Sequence, residues 1–440
     1  MPCVGQLRGV DRNAGIPGAD DTDEVAERKG RAVIEIEAGG IETREIETGR
    51  METGAVEKKV IQRKQEEICM GQKKVCVGVV GAGAISDIYL KNMIHRFENL
   101  YVKSICAAHL ESAQKKAQEY GIQAVTMEEM FDDPEIRMIV NLTPAHVHYS
   151  VIRAALEHGK HVYTEKTLTD DINKSAELVR LAKEKGLYLG SAPDTFMGSA
   201  LQTARSAIDS GMLGEIHSFA VSANRNNDIL LSLFDFLRKP GGGIVCDYAV
   251  YYVTALVSLL GPVARVGSIV GYPYPTHVNC VPGTPLYGQT IDTPNESQVN
   301  AVLQFENDVT GTFHIDADSV LEDQAYFTIY GTKGILILTD PNQFGGQVRF
   351  LLNSPEASAL ADQRESEKIC VLPAVNEYSD NSRGIGPSDL ADTILNGTPL
   401  RPSAEMAYHV HEVLNAMLEG GTSGGFTDIR SSCVRPEPLR

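Results

Sequence analysis

KKVCVGVVGAGAIS, residues 73–86, decides the fold. Val75, Val77, Val79 and Val80 supply the β-branched run of a strand covered on both faces, as in a parallel sheet. Gly81-Ala82-Gly83-Ala84-Ile85-Ser86 follows at once as a GxGxxS turn that opens a helix. Gly81 permits the tight turn, Gly83 lets a pyrophosphate approach the helix N-terminus, and Ser86 is small enough for close helix–strand packing. Ala84 and Ile85 complete the loop on which the phosphates would rest. Strand, turn and helix in this order predict a dinucleotide site.

The pattern repeats downstream. YVKSICAAH (101–109) predicts the second strand, whose tip in an NAD site carries a carboxylate for the adenosine ribose. Here the tip is His109, with Glu111 and Lys115-Lys116 beyond it. His109 takes the ribose position and leaves NAD and NADP both open, with NAD ahead. RMIVNLTPAHVHYSVIRAALEHGKHVYTEK (137–166) predicts a strand over 138–141, a helix over about 146–158 and a strand over 162–164. Open α/β sheets bind ligands at the carboxyl ends of their strands. Lys166, just past such a strand end with Glu165 before it, is thus either a ligand contact or an ordinary surface lysine.

Composition narrows the remaining choices. The 440 residues are enough for two domains, and a net charge of −18 speaks against nucleic acid or an anionic membrane as partner. No apolar run is long enough to span a bilayer, and the N-terminus lacks an apolar signal core. The expected location is the cytoplasm. Eight scattered cysteines form no CxxC, and there is no HExxH, so no metal site is expected. His409 and His411 lie two apart on a predicted helix (404–420), which predicts one buried and one exposed ring. Residues 1–69 contain no aromatic residue and no sustained periodicity. They read as a disordered tail or as a translated leader, because KQEEICM (64–70) can be encoded by codons that contain AGGAGG, a ribosome-binding sequence, shortly before the ATG of Met70. Either way the folded protein is expected to begin at Met70.

GGGIVCDYAVYY (241–252) carries Asp247 and, four residues on, Tyr251. On a helix the two share a face. Together with GAGAIS, NLTPAHVH and YTEK, this stretch resembles the glucose–fructose oxidoreductase / inositol dehydrogenase / rhizopine-catabolism (Gfo/Idh/MocA) family, from about Lys73 to Leu439. The resemblance implies an α/β protein. An N-terminal Rossmann domain (70–193) is followed by a C-terminal α/β domain (194–440), which is built on an open, mostly antiparallel sheet. Its C-terminal helices return to the first domain, and its sheet forms a homodimer or homotetramer. The implied activity is oxidation or reduction of a secondary alcohol or carbonyl on a sugar, glycoside or cyclitol, with NAD or NADP.

The family's EKP signature stands here as Glu165-Lys166-Thr167, and its DxxxH signature as Asp247 to Tyr251, with tyrosine in place of the usual proton-carrying histidine. SAPDTFMGSALQTARSAIDSGMLG (191–214), DPNQFGGQV (340–348) and NSRGIG (381–386) are similar to a branch in which Tyr-Tyr occupies this position. The implied catalytic set is Lys166, Tyr251 and Asp247, with a nearby lysine ammonium favouring the phenolate. Asn141, Thr143 and Pro144 line the nicotinamide half. His148 either lines the same half or is structural. Asp194 and Thr195 are positioned to reach substrate, Lys239 is a substrate candidate or a solvated loop lysine, and Arg383 either enters the cleft or anchors the C-terminal segment. Two other readings stay open: a glycosidase that keeps its NAD bound and cleaves through transient oxidation, and a non-catalytic dinucleotide-binding sugar sensor.

Overall fold

The computed structural model describes residues 74–320, 324–353, 369–423 and 425–439. The N-terminal extension, residues 1–69, and the expected start at Met70 lie outside the described residues. Six strands form one parallel sheet: β1 (Val75–Val80), β2 (Leu100–Cys106), β3 (Gln123–Ala124), β4 (Met138–Asn141), β5 (His161–Thr164) and β6 (Leu189–Ser191). Their order is β3-β2-β1-β4-β5-β6. Helices α1 (Ser86–His95), α2 (Leu110–Tyr120), α3 (Met127–Asp132), α4 (Ala145–Glu157) and α5 (Ile172–Glu184) connect them. Every residue of β1 and of β4 is buried, which is why these strands read as unbroken apolar runs.

Strand order reverses between β1 and β4, the switch point at which open α/β sheets bind ligands. Register brings Val80 level with Cys106 on one side and Asn141 on the other, and Asn141 level with Thr164. The segments that leave these four strands therefore emerge side by side. β2 ends at Cys106, short of the expected His109, which instead is the exposed N-cap residue of α2.

The rest of the chain builds a second sheet. After α6 (Ser199–Asp209) come β7 (Ile216–Asn224), α7 (Asp228–Leu233), α8 (Val250–Leu260) and β8 (Val263–Gly271). A separate hairpin, β9 (Thr276–Val278) and β10 (Thr290–Asp292), precedes β11 (Gln298–Phe305), β12 (Thr310–Asp316), β13 (Gln324–Gly331), β14 (Gly334–Leu338), β15 (Arg349–Leu352) and β16 (Ile369–Val371). Helices α9 (Ile385–Asn396) and α10 (Ala404–Ser423) and strand β17 (Phe426–Asp428) close the chain. The nine strands run in the order β16-β15-β14-β13-β7-β12-β11-β8-β17, and only the β7–β12 pairing is parallel. This is the open, mostly antiparallel sheet the resemblance implied.

α8 is buried at every residue, as a helix apolar on all sides must be. It packs on α6 and α10, and α10 packs in turn on β8 and α5. Enclosure of α10 on two sides corrects the expectation for its histidines, because both are buried. His409 Nε2 accepts from the Val263 amide at 2.9 Å, while His411 Nδ1 meets Ser175 Oγ at 2.9 Å. The latter contact and the Ser191 amide donating to Pro402 O tie the C-terminal segment back to the parallel sheet. Among the described residues no helix is long and apolar enough to cross a membrane.

Candidate active site

The glycine turn after β1 separates into two positions with different tasks. Gly81 has φ +114°, and a Cβ there would stand 2.8 Å from the carbonyl carbon and oxygen of Leu142, so the chain itself requires glycine. Gly83 is exposed, and a Cβ there would meet nothing within 4 Å. The space over Gly83 and Ala84, at the N-terminal end of α1, is left open beside the β1–β4 switch point. It suits a pyrophosphate, which needs close backbone approach and unpaired amides. Ile85 is half-buried against the core, and Ser86 Oγ donates back to Gly83 O at 2.7 Å, holding the turn.

The loop after β4 contributes fewer exposed groups than its sequence suggested. Asn141 is fully buried, and its amide is spent inside the protein. Nδ2 donates to Thr164 Oγ1 at 3.0 Å, and Oδ1 accepts from Thr143 Oγ1 at 2.7 Å. His148 is likewise fully buried, with Nδ1 2.8 Å from Thr167 O and Nε2 2.7 Å from Thr143 O. Burial pushes its pKa down. Asn141 and His148 are thus struts that shape the loops, and the half-buried Thr143 and exposed Pro144 are what the loop offers to a ligand.

After β5, Glu165 Oε1 accepts from Tyr89 OH at 2.7 Å and Oε2 from the Lys166 amide at 3.1 Å, which fixes the chain as it leaves the sheet. The following Lys166–Thr167 peptide is cis. Lys166 Nζ then reaches the other half of the molecule and donates to both Asp247 Oδ1 and Asp247 O at 2.7 Å. The paired side chains are 16% and 17% exposed. Burial alone would push the Lys166 ammonium down, but the adjoining Asp247 carboxylate outweighs it, and the group is held above the ordinary lysine range.

Asp247 owes its place to the glycine run. Residues Val245–Ala249 form a π turn that leads into α8, a feature that re-aims side chains within a helix. Glu296 lies under this turn: its Oε1 accepts from the Val245 amide at 3.1 Å and its main-chain oxygen from Ile244 at 3.1 Å. A Cβ on Gly243 would run into the Glu296 carboxylate. Glu296 is buried, and burial raises its pKa. Sequence reasoning missed it, since a lone acid before a strand carries no motif.

Tyr251 lies one turn beyond Asp247, and both side chains face Lys166. The ammonium sits 5.3 Å from the centre of the Tyr251 ring rather than at its hydroxyl. The hydroxyl instead accepts from Arg383 Nη2 at 3.4 Å, so the cation in contact with the phenol oxygen is an arginine, not the lysine expected. Arg383 is half-buried beside Tyr251. Its neighbours Gly384 and Gly386 donate to Asp194 Oδ2 at 3.3 and 3.1 Å. Asp194 is therefore a buried clamp on the NSRGIG loop rather than a substrate contact, and burial raises its pKa to about 6. Thr195 is also buried, in a short 3-10 turn. Lys239 is 54% exposed and pairs with Asp235 at 2.6 Å, the solvated loop lysine of the two readings.

Sequence comparisons match both domains of the chain. The description "Oxidoreductase family, NAD-binding Rossmann fold" (GFO_IDH_MocA) matches residues 75–192, and the GFO/IDH/MocA C-terminal domain matches residues 201–337. Levoglucosan dehydrogenase of Pseudarthrobacter phenanthrenivorans is 24% identical over 74% of this chain and 89% of its own. The NADP(+)-dependent scyllo-inositol 2-dehydrogenase IolW of Bacillus subtilis is 27% identical over 43% of this chain and 54% of its own. An uncharacterized oxidoreductase of Schizosaccharomyces pombe is 29% identical over 42% of this chain, which spans about half (51%) of that relative's length. Among solved structures, levoglucosan dehydrogenase in its apo form superposes with a TM-score of 0.70 at 20% identity, covering 82% of this chain and all of that one. At that identity the superposition speaks for the fold alone. With both domain descriptions matched in order over most of the folded chain, the protein belongs to the Gfo/Idh/MocA family of oxidoreductases with an NAD-binding Rossmann fold.

Proposed function

We propose that the protein is an NAD(P)-dependent dehydrogenase or reductase that interconverts a secondary alcohol and a carbonyl on a sugar, glycoside or cyclitol. The observation that carries this reading is the position of Lys166. Its ammonium lies just past the end of β5 beside the switch point, fixed at 2.7 Å by Asp247 and facing the Tyr251 ring. The names of the levoglucosan and scyllo-inositol relatives support a sugar or cyclitol as substrate. When bound, the nicotinamide supplies hydride chemistry; the chain's own residues position substrate and handle its proton. Gly81, Gly83, Ala84 and Ile85 form the pyrophosphate loop, His109 stands at the ribose end, and Thr143 and Pro144 border the nicotinamide half. In the oxidative direction the hydroxyl proton leaves to the Lys166–Tyr251 pair; in the reductive direction Lys166 Nζ holds the proton to be donated. Asp247 orients Nζ and raises its proton affinity.

The test is a panel of sugars, glycosides and cyclitols with NAD and with NADP, following the absorbance of the reduced nicotinamide. Turnover with a member of the panel, lost in Lys166→Met while dinucleotide affinity stays, is the expected result. Absence of dinucleotide binding would overturn the reading. Dinucleotide that copurifies and is never consumed during glycoside cleavage would replace it with the redox-assisted glycosidase.

The outer face of the second sheet exposes Ile269, Val302 and Tyr326, and we assign this face to a homodimer or homotetramer, checked by light scattering after Val302→Glu. We also place the protein in the cytoplasm and its domain boundary near residue 193.

A further inference from the structure

Beside the Lys166–Tyr251 pair stands the Arg383 guanidinium, and against the neighbouring Tyr248 ring stands a second, that of Arg225. Arg383 Nη2 donates to Tyr251 OH at 3.4 Å and to Asn342 Oδ1 at 3.3 Å, and Nη1 donates to Asn381 Oδ1 at 2.9 Å. All three acceptors are neutral, and the two on Nη2 are at the long end of hydrogen bonding. Arg225, just past β7, lies with Cζ 4.2 Å from the centre of the Tyr248 ring. That ring is 6.4 Å from the ring of Tyr251. Among the described residues neither guanidinium has a salt-bridge partner.

The carboxylates in the neighbourhood are engaged by other donors. Asp247 holds Lys166, and Glu165 takes Tyr89 OH and the Lys166 amide. Asp340 accepts from Tyr248 OH at 2.8 Å and from the Asn342 amide at 2.9 Å, and Asp194 holds Gly384 and Gly386. Arg383 feels the charges of Glu165 and Asp194, but its hydrogen-bond acceptors are all neutral, so it retains unspent hydrogen-bonding capacity, and its planar fork matches a carboxylate with two parallel bonds. The chain as a whole carries −18 and four carboxylates stand near the site, so an anion entering there must be held by direct contact, which the Arg383 fork can make.

We propose that the substrate is a carboxylate-bearing sugar, an aldonic or uronic acid or a glycoside of one, with its carboxylate on Arg383 and its reacting hydroxyl at Lys166 and Tyr251. This rests on the dehydrogenase reading and narrows it.

The experiment measures steady-state kinetics of the full chain with NAD and NADP. D-glucuronate, D-galacturonate and D-gluconate are compared with D-glucose, D-galactose and D-glucitol, with the uronate methyl esters and with glucose 6-phosphate. Calorimetric binding of the same compounds to the NADH-loaded protein is the second readout. At least one acid should exceed its neutral counterpart by roughly 10- to 100-fold in kcat/KM, the worth of one charge-assisted hydrogen bond, mostly through KM. Its methyl ester should fall to the neutral level. Arg383→Gln should abolish the preference and Arg383→Lys restore part of it, with NADH affinity as the check on folding. The proposal is overturned if no acid outperforms its neutral counterpart in either readout, if the phosphate outperforms the acids, or if the preference survives Arg383→Gln. Should Arg383→Gln not fold, the acid-against-ester comparison on the unaltered protein decides alone. Loss of dinucleotide binding by the unaltered protein is a different result, and it removes the oxidoreductase reading itself.

Discussion

Asp247→Asn separates the charge of the lysine partner from its geometry. The amide keeps an oxygen at the Oδ1 position, and the main-chain oxygen of Asp247, also 2.7 Å from Nζ, still holds the ammonium in place. What disappears is the negative charge. An opposite charge in direct contact favours the charged form by roughly 1–3 pKa units, or about 1.4–4 kcal/mol. With the two side chains 16% and 17% exposed, solvent screens only part of this. Desolvation remains in the variant and is no longer opposed by Asp247, so the Lys166 pKa should fall, although Tyr251 and Glu165 still act to raise it. In the oxidative direction the proton acceptor must be free, and the limb on which kcat/KM rises with pH should therefore move down by roughly 1–3 units in Asp247→Asn. In the reductive direction the variant should lose activity at a lower pH than the unaltered protein. Stability follows the same sign. A lysine whose folded pKa is raised contributes fully below ~10.4 and loses that contribution as pH rises through the folded value, so the two proteins should differ most at neutral pH and converge at high pH. A rising limb unmoved by Asp247→Asn, in protein that still binds dinucleotide, would refute Lys166 as the titrating group.

The remaining predictions probe the loops and the shared proton task. Gly81→Ala, at φ +114° with its Cβ 2.8 Å from the Leu142 carbonyl, should cost roughly 1–3 kcal/mol in denaturant unfolding. Gly83→Val places its side chain in open space and should leave unfolding nearly unchanged while weakening NADH binding at least ~10-fold in fluorescence titration; equal affinities would remove the pyrophosphate assignment. Gly243→Ala drives a Cβ into Glu296 and should displace the π turn, lowering turnover while the NADH affinity holds. Lys166→Met and Tyr251→Phe should each slow turnover by roughly 10²–10⁴-fold, with the double variant little worse than the poorer single one. Fully additive losses would show that the two residues do not share one proton.

Local chemistry alone determined the parallel sheet and its nucleotide edge. A β-branched run buried on both faces, a glycine turn and a helix start are contiguous, so Val75 to Ser86 could be read in one pass, and the segments after β4 and β5 followed by the same alternation. The pairing of Lys166 with Asp247 was legible only through motif order, because the two residues are 81 positions apart and meet by tertiary packing. Which neighbours are spent inside the protein was not legible at all. Asn141, His148 and Asp194 carry the same polar groups whether they face a ligand or a main-chain amide or carbonyl, and burial alone assigns them to the second role. Glu296 under the π turn and Arg383 on the Tyr251 hydroxyl are likewise products of the tertiary structure. Each contact joins segments more than 50 residues apart, a separation at which neither periodicity nor spacing in the chain carries a signal.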